Sequence, residues 1–310
     1  MNSVGPSLWQ VIPFKSLSGD TAPSLFSLGT ASETMLAQFA GSSRGEIPLS
    51  WVEVGIASSL LLINMLVSIS MQLGIAKQLI TSSLRMVIQL ALIGLVLKQI
   101  FAIAMLAPVL ILAGVMTVIA GFAAVRRIGT RYQSIHATAI FSIWISSWIV
   151  TGITLLTIVK PEPWYQPSVL IPLLGMVLGN SLTGISLGLE RFLSELKQNR
   201  EQIETLLCLG ATRWESCRPS MIQATRAAMI PILNTMSVAG IVSIPGMMTG
   251  QLLAGAAPMQ AVNYQIMIMF VIAAAIALGT VTALILTYHK VTSVDHQIKW
   301  SELRVVDQEN

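Results

Sequence analysis

Seven apolar runs, each near the length of a membrane crossing, leave this chain few folds to choose from. They cover residues 49–73, 80–97, 102–125, 135–159, 169–189, 221–244 and 262–288. A helix rising about 1.5 Å per residue needs about 20 apolar residues to cross a hydrocarbon core about 30 Å thick. A membrane β-barrel would show alternating segments of about 10 residues, and the sequence has none. With 54% hydrophobic and 10% charged residues and a mean hydropathy of +0.74, an ordinary water-soluble domain is excluded. The fold class is therefore all-α, a polytopic membrane protein of about seven transmembrane helices. The net charge of +4 does not indicate nucleic acid, because the basic residues sit at the ends of the apolar runs.

One long charged segment, residues 189–219, interrupts the runs between the fifth and the sixth. Its apolar residues Leu189, Phe192, Leu193, Leu196, Ile203, Leu206 and Leu207 recur at helical spacing and mark one stripe of an amphipathic helix. Arg191 with Glu195, Lys197 with Glu201 and Arg200 with Glu204 stand four apart, each pair worth roughly 0.2–0.5 kcal/mol on an exposed helix. Gly210 is placed to end that helix, and Thr212 with Glu215 reads as a capping box opening the next. The segment thus reads as helix, tight break, helix, lying in water between two spans and shaped for a soluble partner. Its two cysteines, Cys208 and Cys217, read as unpaired thiols, since no further Cys or His is spaced to complete a metal site.

Thirteen of the 18 Lys and Arg residues fall on one side when that segment is placed inside. The positive-inside rule then puts the N-terminus outside and the C-terminus in the cytoplasm. Residues 1–47 form a polar extension that reads as flexible, 48–288 the transmembrane domain, and 289–310 a polar cytoplasmic tail. The fifth run carries two small-xxx-small pairs, Gly175 with Gly179 and Gly184 with Gly188, which let helices approach closely in lipid and mark this helix as central. The stretch 247–260 is too short and too broken for a span and reads as an external or partly re-entrant loop.

The chemistry of an enzyme is missing. No Gly-Lys dipeptide exists, so the chain carries no phosphate-cradling nucleotide loop. His136, His289 and His296 stand apart without metal-ligand spacing. Gly184-Ile185-Ser186-Leu187-Gly188 has the letters of a nucleophile elbow but lies within an apolar span, where it reads as a packing motif. Polar groups within the spans are costly and need a reason. Glu53, Arg85 and Arg226 lie near span ends, within reach of the interface by snorkelling. Gln89, Asn180 and Asn234 lie deeper, where interhelical hydrogen bonding competes with contact to a substrate. Met247 and Met248 offer soft thioethers to a metal such as Cu(I), against the ordinary gap-filling use of Met. Arg85, Gln89, Asn180, Arg226, Asn234, Met247 and Met248 are the candidate substrate path; metal ligands are not assigned.

The run Glu204-Thr205-Leu206-Leu207-Cys208-Leu209-Gly210-Ala211-Thr212 resembles the E-A-A…L-G-A-[ST] signature of ABC-transporter permeases, with Thr205 and Leu206 in place of its two alanines. GMVLGNSLTGISLGLER at 175–191 and IVSIPGMMTGQLLAG at 241–255 look like the FetB-type permeases, a family of bacterial iron exporters with plant relatives linked to aluminium tolerance. The similarity runs from about residue 48 to 288. It implies that Glu204, Leu207, Leu209, Gly210, Ala211, Thr212 and Arg213 couple the membrane part to a partner ABC ATPase, which carries ATP and magnesium. It implies further a permease homodimer in the inner (plasma) membrane, with no cofactor held by this chain. The function expected is an ATP-driven exporter of iron or another metal; the family's plant members also raise a nucleotide sugar. A secondary transporter or channel without an ATPase is the rival, although seven spans resist division into repeats.

Overall fold

The computed structural model describes residues 51–72, 74–103, 105–293, 295 and 297–305. The chain divides into two units, Met1–Ile47 and Pro48–Asn310, and the N-terminal extension and His296 lie outside the described residues. The rest is helical: α1 Trp51–Ser70, α2 Ala76–Ile103, α3 Leu106–Arg126, α4 Ile135–Ile153 with a π-helical turn Thr154–Val159, α5 Pro167–Gln198, α6 Arg200–Cys208, α7 Arg213–Val238, α8 Gly246–Leu253 and α9 Pro258–Val291. A two-residue antiparallel pair, β1 Thr130–Arg131 and β2 Arg304–Val305, joins the α3–α4 loop to the C-terminal segment.

Among the described residues, six helices are long and apolar enough to cross a membrane: α1 to α5 and α9. The expected sixth run, now α7, falls short of that mark because Arg213, Glu215, Arg218, Gln223, Arg226 and Asn234 dilute it. Its bounds also differ from 221–244. The Thr212 cap starts it two turns earlier, and Gly240, with φ +82°, turns the chain well before Pro245. The segment 189–198 is not a separate amphipathic helix either. Leu189 to Gln198 contains good helix formers and neither Gly nor Pro, so α5 continues past the expected end of its span at 189, 32 residues in all, and breaks only at Asn199. Nor does that segment lie wholly in water: Leu189, Phe192, Leu193 and Leu196 are fully buried, as the stripe requires. Two of the three charge pairs form, Arg191–Glu195 at 2.5 Å and Arg200–Glu204 at 2.8 Å.

α3, α4, α5, α7 and α9 pack together, with α5 touching all the others. In lipid there is no hydrophobic drive between helices, so close backbone approach and hydrogen bonds must hold them. Gly184 and Gly188 supply that approach. A Cβ on Gly184 would stand 2.5 Å from Ile276 Cγ2 of α9, and one on Gly188 2.8 Å from Thr280 Cγ2. Both also face the backbone of α7 at Ala224 and Ala228. Gly279 of α9 is pressed in turn against Ser146 of α4 and Ile185 of α5. The other pair behaves differently: Gly179 meets nothing within 4 Å, and Gly175 only the Met116 methyl at 3.4 Å. Trp148 Nε1 of α4 donates to Thr117 Oγ1 of α3 at 3.1 Å, and the Tyr132 hydroxyl joins Thr138 and Thr287 at 2.8 and 3.0 Å.

The α1–α2 hairpin lies largely outside this core and joins it only through the end of α2, where Ile100 is buried. Only 6% of the most apolar stretch of each helix is buried, against 50% for α5 and 56% for α9. The α5–α7–α9 seam gives a direct contrast. Gly184→Leu should overpack it and destabilise the detergent-solubilised protein by about 1–3 kcal/mol. Gly179→Ala should leave thermal unfolding unchanged or slightly raise it, since helix propensity improves. Equal melting temperatures for the two variants would remove the seam from the structure's support.

Candidate coupling helix and substrate path

α6 is short, and its geometry is set by its two ends. At its start the Asn199 amide donates to Glu195 Oε2 at 2.6 Å, tying the break to the end of α5. At its finish Gly210 adopts φ +92°, a conformation glycine takes without strain. The Ala211 N–H then donates to the Leu206 carbonyl at 3.0 Å and the Gly210 N–H to Leu207 at 3.1 Å, the two bonds of a Schellman motif. Thr212 follows at once as the N-cap of α7. Its N–H and hydroxyl donate to Glu215 Oε2 at 2.8 and 2.7 Å, and the Glu215 N–H returns a bond to Thr212 Oγ1 at 3.2 Å. These bonds hold the Glu215 carboxyl below the usual carboxylate range. Two caps back to back leave the α6–α7 elbow little freedom.

The seven residues expected to couple divide in two. Leu209 is 79% exposed, and with exposed Gly210 and Thr212 it forms the tip of the elbow. Glu204 pairs with Arg200, while Leu207 and Ala211 are half-buried. Arg213 faces inward: its Nη1 donates to the Ser293 carbonyl at 2.8 Å, and its guanidinium lies 5.6 Å from the Tyr288 ring. Trp214 meets the same ring edge-on at 5.5 Å. Both cysteines are free, Cys208 exposed and Cys217 buried.

The C-terminal segment, read from sequence only as a polar tail, is built into this end of the bundle. Ile298 is buried, β2 pairs with β1, and the Arg200 guanidinium lies 5.0 Å over the Trp300 ring. Glu190 Oε2 accepts from the Gly129 N–H at 2.8 Å. The α3–α4 loop, the α5–α6 region and the tail are therefore gathered at one end of the core. A lone tryptophan in a charged tail was the only sequence signal for this brace.

The candidate path residues are not brought to one place. Arg226 and Asn234 are exposed on the same side of α7 as Arg218 and Gln223, opposite the Ala224 and Ala228 face that meets α5. Among the described residues neither Arg218 nor Arg226 has a hydrogen-bonding or ionic partner. Arg218 and Arg226 border one groove of about 300 Å³ with Trp214, Met221, Ile222 and Thr225. Asn180 is exposed on α5 and donates to its own helix, to the Met176 carbonyl at 2.8 Å. Arg85 and Gln89 are exposed on α2, in the outlying hairpin. Met247 and Met248 begin α8, in the stretch expected to be a loop. That short helix packs on α9, with the Met248 N–H donating to buried Gln265 at 3.3 Å. Sequence reasoning missed Gln265. Among the described residues no group of three His, Cys, Asp or Glu is placed to hold a metal ion.

Comparison with known proteins agrees with this architecture. The model of UPF0014, an uncharacterised protein family, matches residues 51–292. A UPF0014 membrane protein of Synechocystis is 40% identical over 190 residues, 61% of this chain and 73% of that protein. The UPF0014 membrane protein YjkA of Bacillus subtilis is 36% identical over 198 residues, 63% of this chain and 76% of that protein. The probable iron export permease protein FetB of Escherichia coli is 33% identical over 169 residues, 54% of this chain and 65% of that protein. No solved structure matches. Because the match takes in every helix from α1 to the end of α9, the chain belongs to the UPF0014 family of membrane proteins, the family of the FetB-type permeases.

Proposed function

We propose that this permease is the membrane subunit of an ATP-driven exporter, with the α6–α7 elbow docking into a soluble ABC ATPase that carries ATP and magnesium. The observation that carries the reading is the elbow itself. Its apolar tip, Leu209, is exposed, while the caps on both sides fix its direction. A push on a tip held this way tilts α7 as a lever, and α7 is the core helix with the polar face. The brace of Arg200 on Trp300 and the β1–β2 pair carry part of that push to α3 and α4. Alternating access then needs only two arrangements of a packed core, each favoured by one nucleotide state of the partner.

In this reading α7 is the seventh crossing, the N-terminus is outside, and the elbow, the α3–α4 loop and the tail are cytoplasmic at the inner (plasma) membrane. The permease works as a homodimer, in which the exposed polar face of α7 and Asn180 of α5 line the path. The cargo is iron or another metal, on the strength of the relative named a probable iron export permease. A second reading, an anionic cargo such as a nucleotide sugar, is favoured by the unpaired Arg218 and Arg226. A gradient-driven transporter would want titratable groups at mid-membrane, which α7 does not offer.

Two variants test the docking. Leu209→Asp changes an exposed side chain and should alter stability by less than about 0.5 kcal/mol, yet the ATPase should no longer co-purify. Gly210→Val forces a β-branched residue into positive φ and should lose both transport and assembly. An unchanged ATPase pull-down with Leu209→Asp contradicts the docking. For the cargo, Arg226→Gln in vesicles should cut export of an anion by about tenfold or more, the scale of a lost charge-assisted contact, and leave export of a metal cation intact or faster.

A further inference from the structure

At the end of the bundle away from α6, a cavity of about 280 Å³ lies between α5, α8 and α9. Three methionines from three different helices line it: Met176 of α5, Met247 of α8 and Met267 of α9. Gln251 and Tyr264 line it too, and the Gln251 Oε1 is buried without a hydrogen-bonding partner among the described residues. We propose that this cavity is a binding site for a soft monovalent metal ion, Cu(I) or Ag(I), held by the thioethers of Met176, Met247 and Met267. The proposal deepens the exporter reading by naming a cargo class, and it rests on that reading only for its role in transport.

Two features select this ligand. Thioether sulfur is a soft donor that favours Cu(I) and its analogues over hard cations. The donors are all neutral, and no acid, His or Cys lines the cavity. Moving an ion out of water costs energy that rises with the square of its charge, so a neutral donor set suits a monovalent ion far better than a divalent or trivalent one. All three methionines also pack against the buried core, yet the face they share borders an open cavity together with the Gln251 amide oxygen, which has no partner among the described residues and is costly when left unpaired. Their different helices matter as well. An ion bound across α5, α8 and α9 would be released when those helices part.

The test uses the purified full chain in detergent with Cys208→Ser as background, because the exposed Cys208 thiol would itself capture a soft metal. Ag(I) is titrated directly, and Cu(I) against a competing chelator. One ion should bind per chain. Met176→Leu, Met247→Leu and Met267→Leu, which nearly conserve volume, should each weaken binding by about tenfold or more, and the triple variant should abolish it. Met65→Leu with Met86→Leu, two methionines of the α1–α2 hairpin, should change nothing. Thioethers do not titrate, so affinity should stay constant between about pH 5.5 and 8, where His or Cys ligands would lose it. Wild-type affinity in the triple variant, absence of binding, or a steep loss toward acid pH each overturns the site. None of these results bears on whether an ATPase docks at Leu209, so the site and the exporter reading stand or fall separately.

Discussion

The close approach of α5 to α7 and α9 is the contact on which the rest of the structure depends. In a bilayer the solvent is as apolar as the side chains, so helices associate through packing density rather than by escape from water. Gly184 and Gly188 allow the α5 backbone to reach Ala224, Ala228, Ile276 and Thr280, and Gly279 repeats the device toward α4. Without this seam α7 would have no place in the core. A helix with four charged residues, Arg213, Glu215, Arg218 and Arg226, is poorly suited to face lipid alone. Packed on one face by glycine-spaced helices, it keeps its polar residues on the other.

The same seam ties the α6–α7 elbow to the core of the bundle. α5 runs unbroken to Gln198 and is capped at Asn199; α6 follows, and the Gly210 to Thr212 elbow returns the chain into α7, which packs back on α5. The elbow therefore bridges two helices that are themselves in tight contact. The C-terminal segment closes a second loop around it, through Arg213 on Ser293, Trp214 on Tyr288 and Arg200 on Trp300. These contacts tie the elbow and the C-terminal segment to the same end of the core.

Much of this was readable in the residues because lipid simplifies the code. Run length located α1 to α5 and α9, and the stripe from Leu189 to Ile203 identified a buried helical face. The capping box at Thr212 was found by spacing alone. Other features were less legible for physical reasons. Gly175–Gly179 and Gly184–Gly188 have the same spacing, but only the second pair lies against the backbone of a neighbouring helix, since spacing does not say which face a helix turns inward. The break at Asn199 was missed because charge, unlike glycine or proline, does not stop a helix. The tail brace and the methionine-lined cavity are assembled from segments up to about 175 residues apart, such as Thr130 with Val305, and no local pattern announces a contact at that distance.

Cys208 offers the most direct measurement, because it is exposed at the end of α6 beside Leu209 while Cys217 is buried. Its labelling by a membrane-impermeant maleimide can be followed in sealed vesicles of either orientation, with and without the partner ATPase. Labelling confined to the cytoplasmic face and slowed several-fold by the bound ATPase is the expected result. Labelling from the outer face, or a rate indifferent to the ATPase, would contradict the coupling role of α6.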